Sequence, residues 1–326
     1  MVSNNSGSFV ISLDYELMWG VRDKRSVSSY GPQILGGKEN MYRVLELLEE
    51  YDINMTIATV GFLFCENTDA ILNNSPQEFP GYKIVQLSPY PDFSDIKGDE
   101  SSHPHYFGYD LTKALCKHKN IEVASHTYSH FYCLEDGQTL GQFEDDLKSS
   151  IIAAKKLGVT LRSIIFPRNQ YNDDYLALCR KYGLISYRGN EQGYLYKSRS
   201  ENNLSLFVRA GRLIDAYINI TGHHTYSPKG HSSGMINIPA SRFLRSYNHK
   251  LAPLEFLKLR RIKTAMTVAA KSGTVFHLWW HPHNLGSDWD KNKKMLISIF
   301  AHYKKLNRLY GMKSVTMENL TKKMNI

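Results

Sequence analysis

Short apolar runs that end directly in polar, chemistry-bearing residues recur along this chain, and stretches with helical spacing separate them. Residues 9–13 run into Asp14-Tyr15-Glu16, and residues 121–124 into Ser125-His126-Thr127-Tyr128-Ser129-His130. Residues 163–167 end at Arg168-Asn169-Gln170, and residues 274–280, the most apolar strand of the chain, end in His281-Pro282-His283-Asn284. Strand–helix alternation argues for parallel strands joined by crossover helices. In a β/α barrel the C-terminal strand ends converge on one rim, and active sites are built there. Four polar clusters on one rim are hard to explain as packing, so they define a candidate site.

The connecting pattern is consistent with that reading. Residues 38–51 place Met41, Val44, Leu45 and Leu48 at helical spacing, and 53–60 reads as a second strand. Thr139 with Gln142 forms a capping box that opens a helix through Phe143, Leu147, Ile151 and Ala154. Residues 173–182 read as helix and 184–187 as a strand before Arg188-Gly189-Asn190. A basic helix follows over 253–270, then a long one capped by Asp288 and reaching about 310, with 314–316 as a closing strand. Residues 74–107 read as a loop-like insertion, where the lone His103 and His105 are expected at the surface. Residues 191–250 carry several turn signals and no assignable element. The whole, 1–326, is expected to be one catalytic domain with insertions near 74–107 and 191–250.

Composition narrows the class. Hydrophobic residues are 42% and charged ones 22%, a globular balance. The formal charge of +9 comes without a dense basic run or a nucleic-acid-binding motif, so no nucleic-acid partner is expected. That charge could instead support peripheral contact with an anionic membrane surface. Cys65, Cys116, Cys133 and Cys179 are scattered, which indicates neither a zinc knuckle nor a disulfide framework. With no secretory signal pattern at the start, a cytoplasmic location is expected.

Residues two apart on a strand point the same way, so Asp14 and Glu16 converge. Two carboxylates so close favour a cation beside them. His126 and His130 are four apart, and a helical turn after Ser125 would put both imidazoles on one face, within reach of one metal. Thr127 stands where the zinc-protease signature needs a glutamate. Two histidines and one carboxylate make a three-ligand set that leaves positions open.

In this order, Ser-Leu-Asp14-Tyr-Glu16, Ser-His126-Thr-Tyr-Ser-His130, Phe-Pro-Arg168-Asn-Gln and Leu-Trp-Trp-His281-Pro-His283-Asn resemble the polysaccharide deacetylase (NodB homology) family, of carbohydrate-esterase type. The resemblance runs from about residue 9 to 284. It implies a distorted, incomplete, seven-stranded (β/α) barrel with a divalent metal at the strand C-termini, zinc first, with cobalt or nickel as alternatives. Carried over by position, Asp14 is the general base, His126 and His130 are ligands, and His281 is the general acid. Arg168 holds the base ionised, and Asp215 orients the acid histidine. The family's first motif has two adjacent aspartates. Here Tyr15 intervenes, and strand parity favours Glu16 as third ligand. The third motif is altered, so no oxyanion donor is named. Asn169, His283, Trp280 and Tyr15 are candidate substrate contacts, and either His281 or His283 could be the acid.

The expected activity is metal-dependent hydrolysis of the N-acyl (acetyl) group of a sugar in a surface polysaccharide, oligosaccharide, glycolipid or sugar-nucleotide precursor. The alternatives are hydrolysis of another small amide, such as a ureide or formamido sugar, and a non-catalytic glycan-binding protein on the same fold.

Overall fold

The computed structural model describes residues 6–196 and 206–324. Its centre is β1 (Ser8–Tyr15), in which Phe9, Val10, Ile11 and Leu13 are fully buried. A parallel strand covered on both faces reads as a near-continuous apolar run, and β1 does. On one side β1 pairs with β2 (Met55–Thr59), which pairs with β3 (Ile121–Ser125). Beyond lie the two-residue strands β4 (Ser163–Ile164), β5 (Ser186–Tyr187), β7 (Ile236–Asn237) and β6 (Lys229–Gly230). On the other side β1 pairs with β9 (Val275–Trp280), and β9 with β8 (Arg242–Phe243). At its N-terminal end β1 also pairs with β10 (Lys313–Ser314). All pairs are parallel except β6 with β7.

Residues 236–243 curl the sheet towards closure. Ile238 and Ala240 donate their N–H to Tyr187 O and Gly189 O on the β5 side, and Ser241 then donates to His277 O on β9. One segment thus links the two edges of the parallel sheet, with Pro239, which lacks an N–H, between those bonds. The result is the expected distorted, incomplete (β/α) barrel, with ten strands among the described residues where seven were expected, because short strands extend both ends and β10 adds to β1.

Helices wrap the outside: α1 (Val27–Glu50), α2 (Thr68–Asn73), α3 (Tyr109–Lys117), α4 (Leu140–Lys156), α5 (Asp173–Lys181), α6 (Leu206–Tyr217), α7 (Glu255–Ser272), α8 (Trp289–Tyr310) and α9 (Met317–Lys322). The capping box of α4 is present: Thr139 accepts from Gln142 N, and Gln142 accepts from Thr139 N. Asp288 occupies the N-cap of α8 but makes no capping bond. Its carboxylate pairs with His249 at 2.7 Å instead. No helix among the described residues is long and apolar enough to cross a membrane.

α1 starts well before residue 38, although Gly31, Pro32, Gly36 and Gly37 lie inside it. These residues oppose helix on propensity, and packing overrides it. A Cβ at Gly36 would lie 2.1 Å from Gly286 O, and one at Gly37 would lie 2.6 Å from His283 Cα. The absence of side chains therefore lets α1 lie directly on residues 282–286, the turn that follows β9.

Candidate metal and catalytic site

The C-terminal strand ends deliver the polar residues to one cleft of about 390 Å³. Asp14 is the penultimate residue of β1, and Glu16 follows in the turn into a short 3-10 helix, both on the cleft side. His126 follows β3 directly. Its Nδ1 faces Ile165 O at 2.8 Å, which makes Nδ1 the protonated nitrogen and leaves Nε2 with a free lone pair.

Residues 126–133 do not turn helical. Thr127 and His130 adopt left-handed backbone (φ 62° and 59°), and this reversal brings the two imidazoles to a centroid distance of 5.0 Å. The turn is held from α4: the buried Asp146 accepts from Tyr128 N at 2.6 Å, from Ser129 N at 3.0 Å and from Ser129 Oγ. Burial raises the Asp146 carboxyl to about 6, with these hydrogen bonds pulling the other way. Thr127 Oγ1 accepts from Phe131 N at 2.7 Å, closing the same turn.

Glu16 Oε2 lies 3.1 Å from His130 Nε2 and 3.4 Å from His126 Nε2. One donor atom from each of Glu16, His126 and His130 falls within 4.8 Å of the others, and all three residues are buried. His126 Nε2 has no hydrogen-bond partner. Burial would raise the Glu16 carboxyl, but the neighbouring histidines, His281 foremost, hold it well below its ordinary value. Burial drops His130 to about 4, with Glu16 opposing. An ionised carboxylate facing two buried, inward-pointing imidazoles, one with an orphaned lone pair, is a donor set that fits a divalent cation.

Beside it, Asp14 is clamped by Arg188, with Nη1 to Oδ1 at 2.7 Å and Nη2 to Oδ2 at 2.8 Å. Burial pushes Asp14 up, but the Arg188 charge, with His126 and His281 behind it, brings it below the ordinary carboxylate value. Arg188 itself is fully buried. It also donates to Ser12 Oγ and Asn169 Oδ1, and it stacks over the Trp279 ring at 4.2 Å. Behind this pair, His277 in the middle of β9 faces Ser12 Oγ with Nε2 at 2.8 Å, and burial pulls its pKa to about 3. His281 Nε2 lies 3.6 Å from Asp14 Oδ2 and 3.8 Å from Glu16 Oε1, and Nδ1 lies 3.2 Å from Asn284 Oδ1. His283 stacks on His281 (4.9 Å, 12°), and burial, reinforced by His281, lowers it to about 4.

Four readings from the sequence are corrected here. The guanidinium on Asp14 comes from Arg188; Arg168 pairs with Asp23 and, at 3.9 Å, with Glu135, and lies over the Tyr132 ring. Asp215 on α6 is occupied by Arg242, Arg261 and Tyr196 and does not orient His281. Trp280 points into the core, because alternation along β9 puts its neighbour Trp279 in the cleft. Tyr15 is buried too, pointing away from Asp14 and Glu16, with its hydroxyl on Gly108 O. Asn169 and His283 do line the cleft. Arg188 obeys the rule that found the others, a polar residue directly after a strand. His277, Asp146 and Trp279 carry no such signal.

Residues 30–186 match the polysaccharide deacetylase family. The match covers just under half of the chain. Its matched segment contains His126 and His130, whereas Asp14, Glu16, Arg188 and His281 lie outside it. The polysaccharide deacetylase fold extends over the whole chain. A candidate polysaccharide deacetylase from Mycobacterium smegmatis is similar with a TM-score of 0.60 at 11% identity, covering 99% of this chain and 92% of its own. The PuuE allantoinase has a TM-score of 0.57 at 11% identity, over 98% and 91%. A candidate polysaccharide deacetylase from Pseudomonas aeruginosa PAO1 has 0.56 at 11%, over 97% and 89%. A search of curated protein sequences found no match.

Proposed function

We propose that this protein is a polysaccharide-deacetylase-type, metal-dependent hydrolase that removes the N-acetyl group from a sugar of a surface polysaccharide or its precursor. The observation that carries the reading is the buried Glu16–His126–His130 donor set beside the Asp14–Arg188 pair, with His281 across both carboxylates. Glu16, His126 and His130 would hold the metal, zinc first. A cation held there would polarise the acyl carbonyl and make a bound water more acidic.

Asp14, kept ionised by Arg188, takes a proton from the attacking water at Oδ2. His281 Nε2, 3.6 Å from that oxygen, delivers a proton to the leaving amine nitrogen as the C–N bond breaks, giving acetate and a free amino sugar. His283, largely neutral at physiological pH and stacked on His281, keeps that ring in place. The Phe243 and Trp279 rings, 4.7 Å apart in the cleft, offer a surface on which a sugar can stack.

The test is acyl release from N-acetylated oligosaccharides and monosaccharides by the metal-loaded protein, with formate and ammonia assayed in parallel. Acetate release abolished in Asp14→Asn supports the reading. Ammonia or formate alone moves the chain to another small amide. No product from any substrate, with metal bound, refutes hydrolysis and leaves glycan binding.

A further inference from the structure

The cleft has a second polar end that the hydrolytic residues do not use. It is formed by α6, by β8 and by the residues just after β8, with Arg212, Arg242 and Arg245 in its wall. Arg242 is only 4% exposed. Its Nη1 is fixed by Asp215 O at 3.1 Å and Asp215 Oδ2 at 3.0 Å, while Nε and Nη2 have no partner. Asp215 cannot neutralise the region alone, because Arg261 also takes its Oδ1 at 3.2 Å. Arg245 makes no ion pair with a described residue; its guanidinium lies over the Phe243 ring at 6.0 Å. Burial, together with the Arg212 and Arg242 charges, pulls the Arg245 pKa down, which reflects how closely these cations are crowded.

Among the described residues, Arg242 and Arg261 share the single carboxylate Asp215, and Arg245 has no acidic partner, with Glu191 the other carboxylate in this part of the wall. A guanidinium in excess of the carboxylates in a partly buried wall is costly unless an anion completes it. Phe243 connects this end to the reaction centre: its ring is 6.0 Å from that of His281 on one side and under Arg245 on the other.

We propose that Arg242 and Arg245 form a phosphate-binding subsite that receives a phosphoryl group carried by the sugar substrate, with the sugar ring over Phe243 and its acylamino group towards His281. Arginine forks match phosphate oxygens in pairs, and a phosphoryl group supplies the negative charge this wall lacks. The phosphoryl group can belong to a soluble sugar phosphate or to a lipid carrier. The subsite rests on the hydrolase reading only for the orientation of the sugar.

Isothermal titration without turnover tests it, using N-acetylglucosamine 1-phosphate, N-acetylglucosamine, inorganic phosphate and glucuronate as probes. The wild type should bind the 1-phosphate about tenfold or more tighter than the unphosphorylated sugar, as expected for one charge-assisted contact. Arg245→Gln should erase the difference, and Arg245→Lys should restore part of it, both with bound metal unchanged as the check on folding. Phosphatidylcholine vesicles doped with a polyprenyl phosphate form the other arm. Arg245-dependent co-sedimentation with them assigns the lipid source, and Arg245-dependent binding of the soluble probe alone assigns the soluble one. No Arg245 dependence in either arm, or glucuronate binding as tightly as the 1-phosphate, overturns the proposal. Phosphate binding that persists in a protein with no hydrolytic activity would sink the hydrolase reading and leave the subsite standing.

Discussion

Replacing Arg188 with Met removes the guanidinium while keeping an apolar stem in the same space. In the wild type, Arg188 makes two short bonds to Asp14, at 2.7 and 2.8 Å, with Asp14 4% and Arg188 0% exposed. Taking away one partner of a buried pair leaves the other charge uncompensated and costs about 3–5 kcal/mol. Arg188→Met should therefore lower the urea-unfolding free energy by that amount. Asp14→Asn alone should also destabilise, because Arg188 would keep only its neutral partners Ser12 and Asn169. The double variant should be more stable than the sum of the two losses implies, with a coupling energy of about 2 kcal/mol for residues in direct contact. Single variants whose losses simply add, or an Arg188→Met protein within about 1 kcal/mol of wild type, would refute the clamp and with it the reason Asp14 stays ionised.

Three further perturbations probe the supports of the site. His277 is held neutral, with a folded pKa of about 3 against an ordinary 6.5. The unfolded chain therefore binds this proton first, so the group's contribution is fully present above pH 6.5 and is lost as pH falls towards 3. Between pH 6.5 and 4.5 that loss is about 2 kcal/mol, so His277→Gln should show a shallower acid dependence of unfolding; an unchanged slope contradicts the assignment. Asp146→Ala should release the turn between His126 and His130 and weaken metal affinity about 10–100-fold, measured by competition with a chelator; unchanged affinity would show that the turn holds itself. At Gly20 a Cβ would lie 1.9 Å from Glu16 Cδ, so Gly20→Ala should displace that carboxylate and weaken metal binding while thermal stability stays near wild type. Undiminished metal affinity would mean that Glu16 is not a ligand.

The barrel was legible because its central strands are buried on both faces and announce themselves as apolar runs, as in β1 and β9. The positions of Asp14, Glu16, His126, His130 and His281 on one rim followed from a single rule, polar residue after strand. Other features depend on contacts distant in sequence. α1 crosses Gly36 and Gly37 because a loop about 250 residues away packs against them. Within residues 191–250, β6, β7 and β8 give no periodic signal because they are two residues each and their pairing is fixed by the edges they join, whereas the twelve-residue α6 is hidden among the surrounding turn signals. The choice of Arg188 over Arg168 depends on which strand end faces Asp14, and Arg168 finds acids of its own in Asp23 and Glu135. Left-handed backbone at Thr127 and His130 replaced the helical turn, since neither residue type advertises positive φ.

The most direct test of the central claim is the metal content of the purified protein, measured by mass spectrometry beside Glu16→Ala and His126→Ala. About one equivalent of a divalent metal in the wild type, lost in both folded variants, is the predicted result for a three-donor site. A wild type that takes up no zinc, cobalt or nickel, or variants that retain the full equivalent, would contradict it.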